Sequence, residues 1–78
     1  MIEAIDRHVG RRLRMHRRLK DLTQAELAQQ VGVSFQQIQK YEVAAQRMSV
    51  AMLCKLADAL EIEPHHLLSG PDKKLVDA

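Results

Sequence analysis

Two helix-start signals lie eleven residues apart in this chain, and their spacing restricts the fold more than any other feature. Thr23-Gln24-Ala25-Glu26 and Ser34-Phe35-Gln36-Gln37 each place a hydroxyl residue three positions ahead of a Glu or Gln. In this arrangement the hydroxyl accepts an orphan backbone N–H of the first turn, and the acid or amide reaches back to the cap residue. Between them stands Gly32, a residue that tolerates the positive φ with which helices commonly end. The spacing predicts a helix over residues 24–31 and a second one starting within three residues of its end. Two helices joined so tightly must cross at a steep angle.

The remaining elements read as helices too. Ile5, Val9, Leu13 and the pair Leu19/Leu22 form the apolar stripe of a first helix, roughly residues 4–19. Ala25, Leu27, Ala28 and Val31 are expected to face inward from the second helix, and Ile38 and Tyr41 from the third, over residues 34–41. Ser49 caps a fourth helix with Leu53, Leu56, Ala57 and Leu60 on one face. Pro64 fits the first position of a short fifth helix that ends near Leu68 and is stopped by Ser69-Gly70-Pro71. No alternation is long enough for a strand. The expected fold is all-α, a compact bundle of about five short helices containing a helix-turn-helix. Residues 1–69 form the domain and residues 70–78 a flexible tail.

Seventy-eight residues make one domain with a limited core. One cysteine, Cys54, permits no intrachain disulfide and suits a reducing compartment. No apolar run approaches a membrane span, and MIEAIDRHVG lacks the apolar block of a secretory signal, so the expected location is cytoplasmic. The net charge of +2 conceals an asymmetry: residues 7–47 carry nine Lys or Arg against three acids, whereas residues 48–78 carry three bases and five acids. One face is thus biased toward polyanions, or is an ordinary solvated helix face. Cys54, His8, His16, His65 and His66 are too scattered for zinc, and there is no Gly-rich phosphate loop. No catalytic residue, metal, cofactor or small-molecule ligand is expected. Beside Ala51 and Ala57, Cys54 reads as a small buried or half-buried residue.

The stretch SFQQIQKY (34–41) is unusual for a short surface helix, because it carries a file of neutral amides where Glu–Lys pairs are commoner. An amide is both donor and acceptor and carries no net charge to desolvate. It matches the N6/N7 edge of adenine in the DNA major groove, and lysine donates to guanine O6/N7.

VGRRLRMHRRLKDLTQAELAQQVGVSFQQIQKYE followed by LCKLADALEIEPHHLL resembles the Cro/C1-type helix-turn-helix family of phage repressors and Xre-like regulators, over about residues 9–69. The resemblance rests on Gly-Arg-Arg-Leu-Arg with Arg17, on Leu22-Thr-Gln-Ala-Glu-Leu-Ala, on Gly32-Val-Ser, Ile38 and Tyr41-Glu42, and on Leu56-Ala-Asp-Ala-Leu. It implies a sequence-specific regulator of double-stranded DNA, a repressor, whose third helix lies in the major groove. It puts Ser34, Phe35, Gln36 and Lys40 at base-facing positions, with Gln37 and Gln39 as flankers. Gln24, at the start of the second helix, receives a phosphate. Arg17, Arg14, Gln37 and Arg47 are further phosphate or positioning residues, and Arg17 with Glu42 matches a salt-bridge pair. Phe35 either meets a thymine methyl or packs along the line of Ile38 and Tyr41.

One recognition helix reads only about four or five base pairs, so a homodimer on a palindromic operator is expected, with the Leu67/Leu68 end and loop 43–48 as contacts. Two other classes use the same residues. One is a protein-interaction or antitoxin-like module on this fold. The other is RNA binding through the Arg-rich first helix, which the scarcity of exposed aromatics for base stacking disfavours. The chain departs from the family after Glu42, where a glycine is usual and Val43-Ala44-Ala45-Gln46-Arg47 stands instead. Met48 replaces a common proline. If the turn needs positive φ, alanine there costs on the order of 1 kcal/mol.

Overall fold

A computed structural model describes residues 2–69. Five helices follow one another: α1 Ala4–Leu19, α2 Gln24–Val31, α3 Phe35–Glu42, α4 Val50–Ala59 and α5 His65–Leu68. No strand occurs among the described residues. The tail expected at 70–78, with Gly70 and Pro71, lies outside them.

Both start signals cap their helices, but only Thr23 with Glu26 closes in both directions; at Ser34 the hydroxyl caps and the Gln37 side chain does not reach back. Thr23 accepts from the Glu26 N–H at 3.0 Å while Glu26 accepts from the Thr23 N–H at 2.9 Å, which closes the capping box. Ser34 accepts from the Gln37 N–H and Ser49 from the Met52 N–H. Pro64 sits at the cap of α5, one position ahead of the helix.

The ends of α1 to α4 share one device. The residues at Asp21, Gly32, Ala44 and Glu61 turn left-handed, with φ of 56°, 77°, 58° and 58°. The N–H of the following residue then reaches back over the last turn: Leu22 to Arg17 O, Val33 to Ala28 O, Ala45 to Lys40 O and Ile62 to Ala57 O, all within 3.1 Å. Three of these four positions lack glycine. The turn after Glu42 does adopt positive φ, and Ala44 carries it. The strain of about 1–2 kcal/mol per residue is partly offset at Ala44, whose methyl is buried.

Leu13, Leu27, Ile38, Leu56, Leu60 and Leu67 are fully buried and form the centre of the core. Several expectations change. The turn at Lys20-Asp21 folds Leu22 onto the core and leaves Leu19 outside, 73% exposed. Ala25 is exposed because the first turn of α2 stands clear of the core, with burial starting at Leu27 and Ala28. Cys54 is exposed because it lies on the opposite side of α4 from Leu56. Leu67 belongs to the core, so of the Leu67/Leu68 pair only Leu68 is accessible.

Gly10 and Arg12 are among the residues that join α1 to the rest. A Cβ built on Gly10 would stand 2.6 Å from Tyr41 O and 2.7 Å from Glu42 O, so α1 touches the last turn of α3 through a residue with no side chain. On the opposite side of α1, Arg12 donates to His66 O through Nε and Nη2 at 3.1 and 2.9 Å. His8 Nε2 lies 3.1 Å from Ser69 O. Two carbonyls at this end, His66 O in α5 and Ser69 O at its cap, are thereby met from α1. The His16 ring lies 6.4 Å from that of His66, its Nε2 buried without a hydrogen-bond partner among the described residues. Burial holds its pKa below the ordinary histidine value, and the charge of Arg12 and His66 push the same way.

Gly10→Ala sets helix propensity, worth up to about 1 kcal/mol in favour of alanine, against a clash with two backbone oxygens that have no rotamer to escape into. The clash should dominate. A net loss of about 1–3 kcal/mol is expected, the usual range for overpacking, read as a lower denaturation midpoint at constant m. Equal or greater stability would contradict this contact. For His16 the folded pKa is depressed, so its contribution is complete above the unfolded value of about 6.5 and is lost as pH falls below it toward the folded value. Denaturation at several pH values should show a smaller loss of stability in His16→Leu than in the wild type across that window.

Candidate nucleic-acid interface

Glu42 ends α3 in a buried position and gathers three elements around its carboxylate. Arg17 from α1 grips it with a two-pronged contact, Nε to Oε2 at 2.6 Å and Nη2 to Oε1 at 3.1 Å. The third arm of the guanidinium donates to Leu22 O at 2.7 Å, which ties down the α1–α2 turn. Gln24, the first residue of α2, donates its amide to Glu42 Oε1 at 3.1 Å. Arg17 is only 8% exposed, so the phosphate contact expected of it does not fit this placement; it acts from inside as the partner of Glu42. The salt-bridge pair that the resemblance implies is present and buried, with side chains 10% and 2% exposed.

Held in this way, α3 presents two unlike sides. Ile38 and Tyr41 enter the core, while Phe35, Gln36, Gln39 and Lys40 remain exposed. Phe35 is 48% exposed and stays out of the core cluster, so the shared line with Ile38 and Tyr41 does not bury it. Ser34 spends its hydroxyl as the cap, accepting from Gln37 N at 3.2 Å, and Gln37 is half-buried.

The basic residues divide by surroundings. Arg14 lies on the outer face of α1 beside Arg11, Met15, Arg18 and Leu19. Arg47, in the loop after α3, donates Nε to Asp6 Oδ2 at 3.1 Å and leaves its outer nitrogens toward solvent. Burial alone would raise the pKa of Asp6, but the Glu3 N–H and Arg47 hold the carboxyl below its ordinary value. Asp6, Gly10 and Arg12 have structural roles that were not assigned from the sequence. The Glu3-to-Asp6 spacing is a legible cap signal for the first, while Gly10 and Arg12 depend on partners about 30 and 54 residues away. No group of three or more His, Cys, Asp or Glu side chains suited to a metal occurs among the described residues.

The sequence model of the helix-turn-helix family matches residues 13–67. A curated HTH-type transcriptional regulator of Sinorhizobium fredii is 44% identical over 70 residues, covering 88% of this chain and 49% of that protein. The chain spans about half the length of the first curated relatives it matches. Among solved structures, the restriction-modification controller protein C.AhdI of Aeromonas hydrophila superposes with a TM-score of 0.79 at 36% identity, covering 82% of this chain and 93% of that one. The P22 c2 repressor, solved in complex with a synthetic operator, gives 0.73 at 33% identity, covering 81% and 96%.

The clamp predicts a large effect from a single atom group. Removing one partner of a buried ion pair leaves an uncompensated charge and costs about 3–5 kcal/mol. Glu42→Ala and Arg17→Met should each lose that order of stability, and the double variant much less than their sum. Additive losses in denaturation would show that the two side chains act independently.

Proposed function

The chain belongs to the helix-turn-helix family of Cro/C1 type, and from that premise we propose that it binds double-stranded DNA as a transcriptional repressor in the cytoplasm, with α3 in the major groove. The observation that carries the reading is the two-sidedness of α3. Its rear is fixed by Ile38, Tyr41 and the Glu42 clamp, and its front offers Phe35, Gln36 and Lys40 to solvent. A reading surface needs both properties, since base edges are distinguished only by groups held in register.

In this reading Ser34, Phe35, Gln36 and Lys40 face the bases. Gln24, Gln37, Arg14 and Arg47 face phosphates, and Arg17 positions α3 through Glu42. Gln24 suits its role because its amide nitrogen is committed to Glu42, which fixes the side chain at the start of α2, where free N–H groups favour an anion.

A second copy of the chain supplies the other half-site. An apolar groove of about 280 Å³ runs between α1 and the α3–α4 loop, lined by Ile5, Val9, Met48, Val50, Leu53 and Leu68. Val50 on its rim is 80% exposed, an apolar side chain that a two-fold contact would cover. Selection from a random DNA pool should return an inverted repeat with half-sites about one helical turn apart. A consensus without symmetry, bound by one chain per duplex, would exclude the dimer.

Reading and gripping are separable. Gln36→Ala should weaken the selected site by about 1–3 kcal/mol, leave a scrambled duplex nearly unaffected and preserve the salt dependence. Arg47→Ala should weaken both duplexes alike and flatten the slope of log K against log salt by about 0.9 for the phosphate it neutralises. Titrations at several salt concentrations decide this. Equal weakening of both duplexes by Gln36→Ala would remove the glutamine from the reading surface.

A further inference from the structure

The chain contains one phenylalanine, and the fold leaves it outside the core. Phe35 opens α3, is 48% exposed, and takes no part in the cluster joined by Ile38 and Tyr41 on the same short helix. Nothing local calls for an aromatic there. Phenylalanine is a middling helix former, and the cap is made by Ser34 without it. An aromatic ring held on the surface at the tip of α3 is explained by what it touches when the protein is bound.

We propose that Phe35 reads the C5-methyl group of a pyrimidine, thymine or 5-methylcytosine, at one position of each operator half-site. This rests on the assignment of α3 to the major groove. A benzyl side chain has no donor or acceptor, so it gains nothing from the hydrogen-bonding pattern of a base edge. The apolar feature displayed in the major groove is the C5-methyl of thymine, and contact with it is how an apolar side chain discriminates there. Cytosine carries only hydrogen at C5 in place of that methyl, and at C4 an amine donor where thymine has an oxygen acceptor. Methylation of cytosine at C5 puts the same group at the same ring position, so a ring that recognises thymine by its methyl accepts 5-methylcytosine equally. Insertion as a wedge between base steps is a minor-groove device and does not suit a helix in the major groove. Gln36 beside it matches adenine, so an A·T-rich centre of the half-site fits both side chains. The consequence is regulatory: where a site carries cytosine at this position, occupancy rises when that cytosine is methylated.

The test uses the full chain on its selected duplex, with each thymine replaced singly by deoxyuridine, which removes only the methyl. At one position per half-site the substitution should lower affinity about fourfold, the factor corresponding to about 0.8 kcal/mol for one buried methyl. Phe35→Ala, and Phe35→Gln as a second variant, should bind more weakly but show no uracil penalty at that position. Duplexes carrying C·G there should bind the wild type more tightly when the cytosine is 5-methylated, by a similar factor, and the variants should be indifferent. Indifference of the wild type to uracil at every position overturns the proposal, as does a uracil penalty that persists in both variants. A wild-type chain that selects no duplex overturns the DNA reading along with it, whereas one that selects a duplex and ignores its methyl groups overturns this proposal alone.

Discussion

The carboxylate of Glu42 decides the geometry of this domain. Three helices meet at it, α3 by its own last turn, α1 through Arg17 and α2 through Gln24. Burying a carboxylate and a guanidinium is costly, and the cost is met only when geometry is good and remaining hydrogen-bonding groups are satisfied. Here the fork is two-pronged and the third guanidinium arm finds Leu22 O. Such a junction resists small rotations, because any shift of α3 lengthens charged hydrogen bonds that water does not replace. Gly10 closes the other side: its missing side chain lets α1 lie directly against the carbonyls of Tyr41 and Glu42.

The orientation of α3 follows from that junction, and the character of its exposed tip follows from its orientation. With Ile38 and Tyr41 committed to the core, the positions left facing out are those filled by Phe35, Gln36, Gln39 and Lys40. Amides and one aromatic ring make a poor solubilising surface and a good reading surface, since they carry direction and shape where Glu–Lys pairs carry mainly charge. The arginines lie to the side, on α1 and in the loop after α3, where Arg47 is steadied by Asp6.

Much of the fold was legible in the sequence because its signals are local. Thr23 with Glu26, Ser34, Gly32 and Ser49 each act within one helical turn, so spacing alone located α2, α3 and the start of α4. What was not legible depends on residues far apart or on tertiary context. Asp21, Ala44 and Glu61 adopt the left-handed conformation because the following Leu22, Ala45 and Ile62 must return to the preceding turn, and composition does not announce this at non-glycine positions. Leu19 and Leu22 look equivalent on a helical stripe until the turn at Asp21 separates them. Arg17 and Glu42 were legible as a pair, but their burial was not, and burial turns a marginal surface bridge into the centre of the domain. The side of Phe35 was undecided in the sequence, since a period of three serves a packed ring as well as an exposed one.

In the proposed complex the tip of α3 meets base edges from the major groove in two places on one duplex. Dimethyl sulfate footprinting of the full chain on its selected site addresses this directly, because the reagent methylates guanine N7 in the major groove and adenine N3 in the minor groove. Guanine N7 protection is expected in two patches about one helical turn apart, with the adenine N3 positions within them still reactive. Protection of adenine N3 with guanine N7 left reactive, or no protection on a duplex the chain demonstrably binds, would contradict that arrangement.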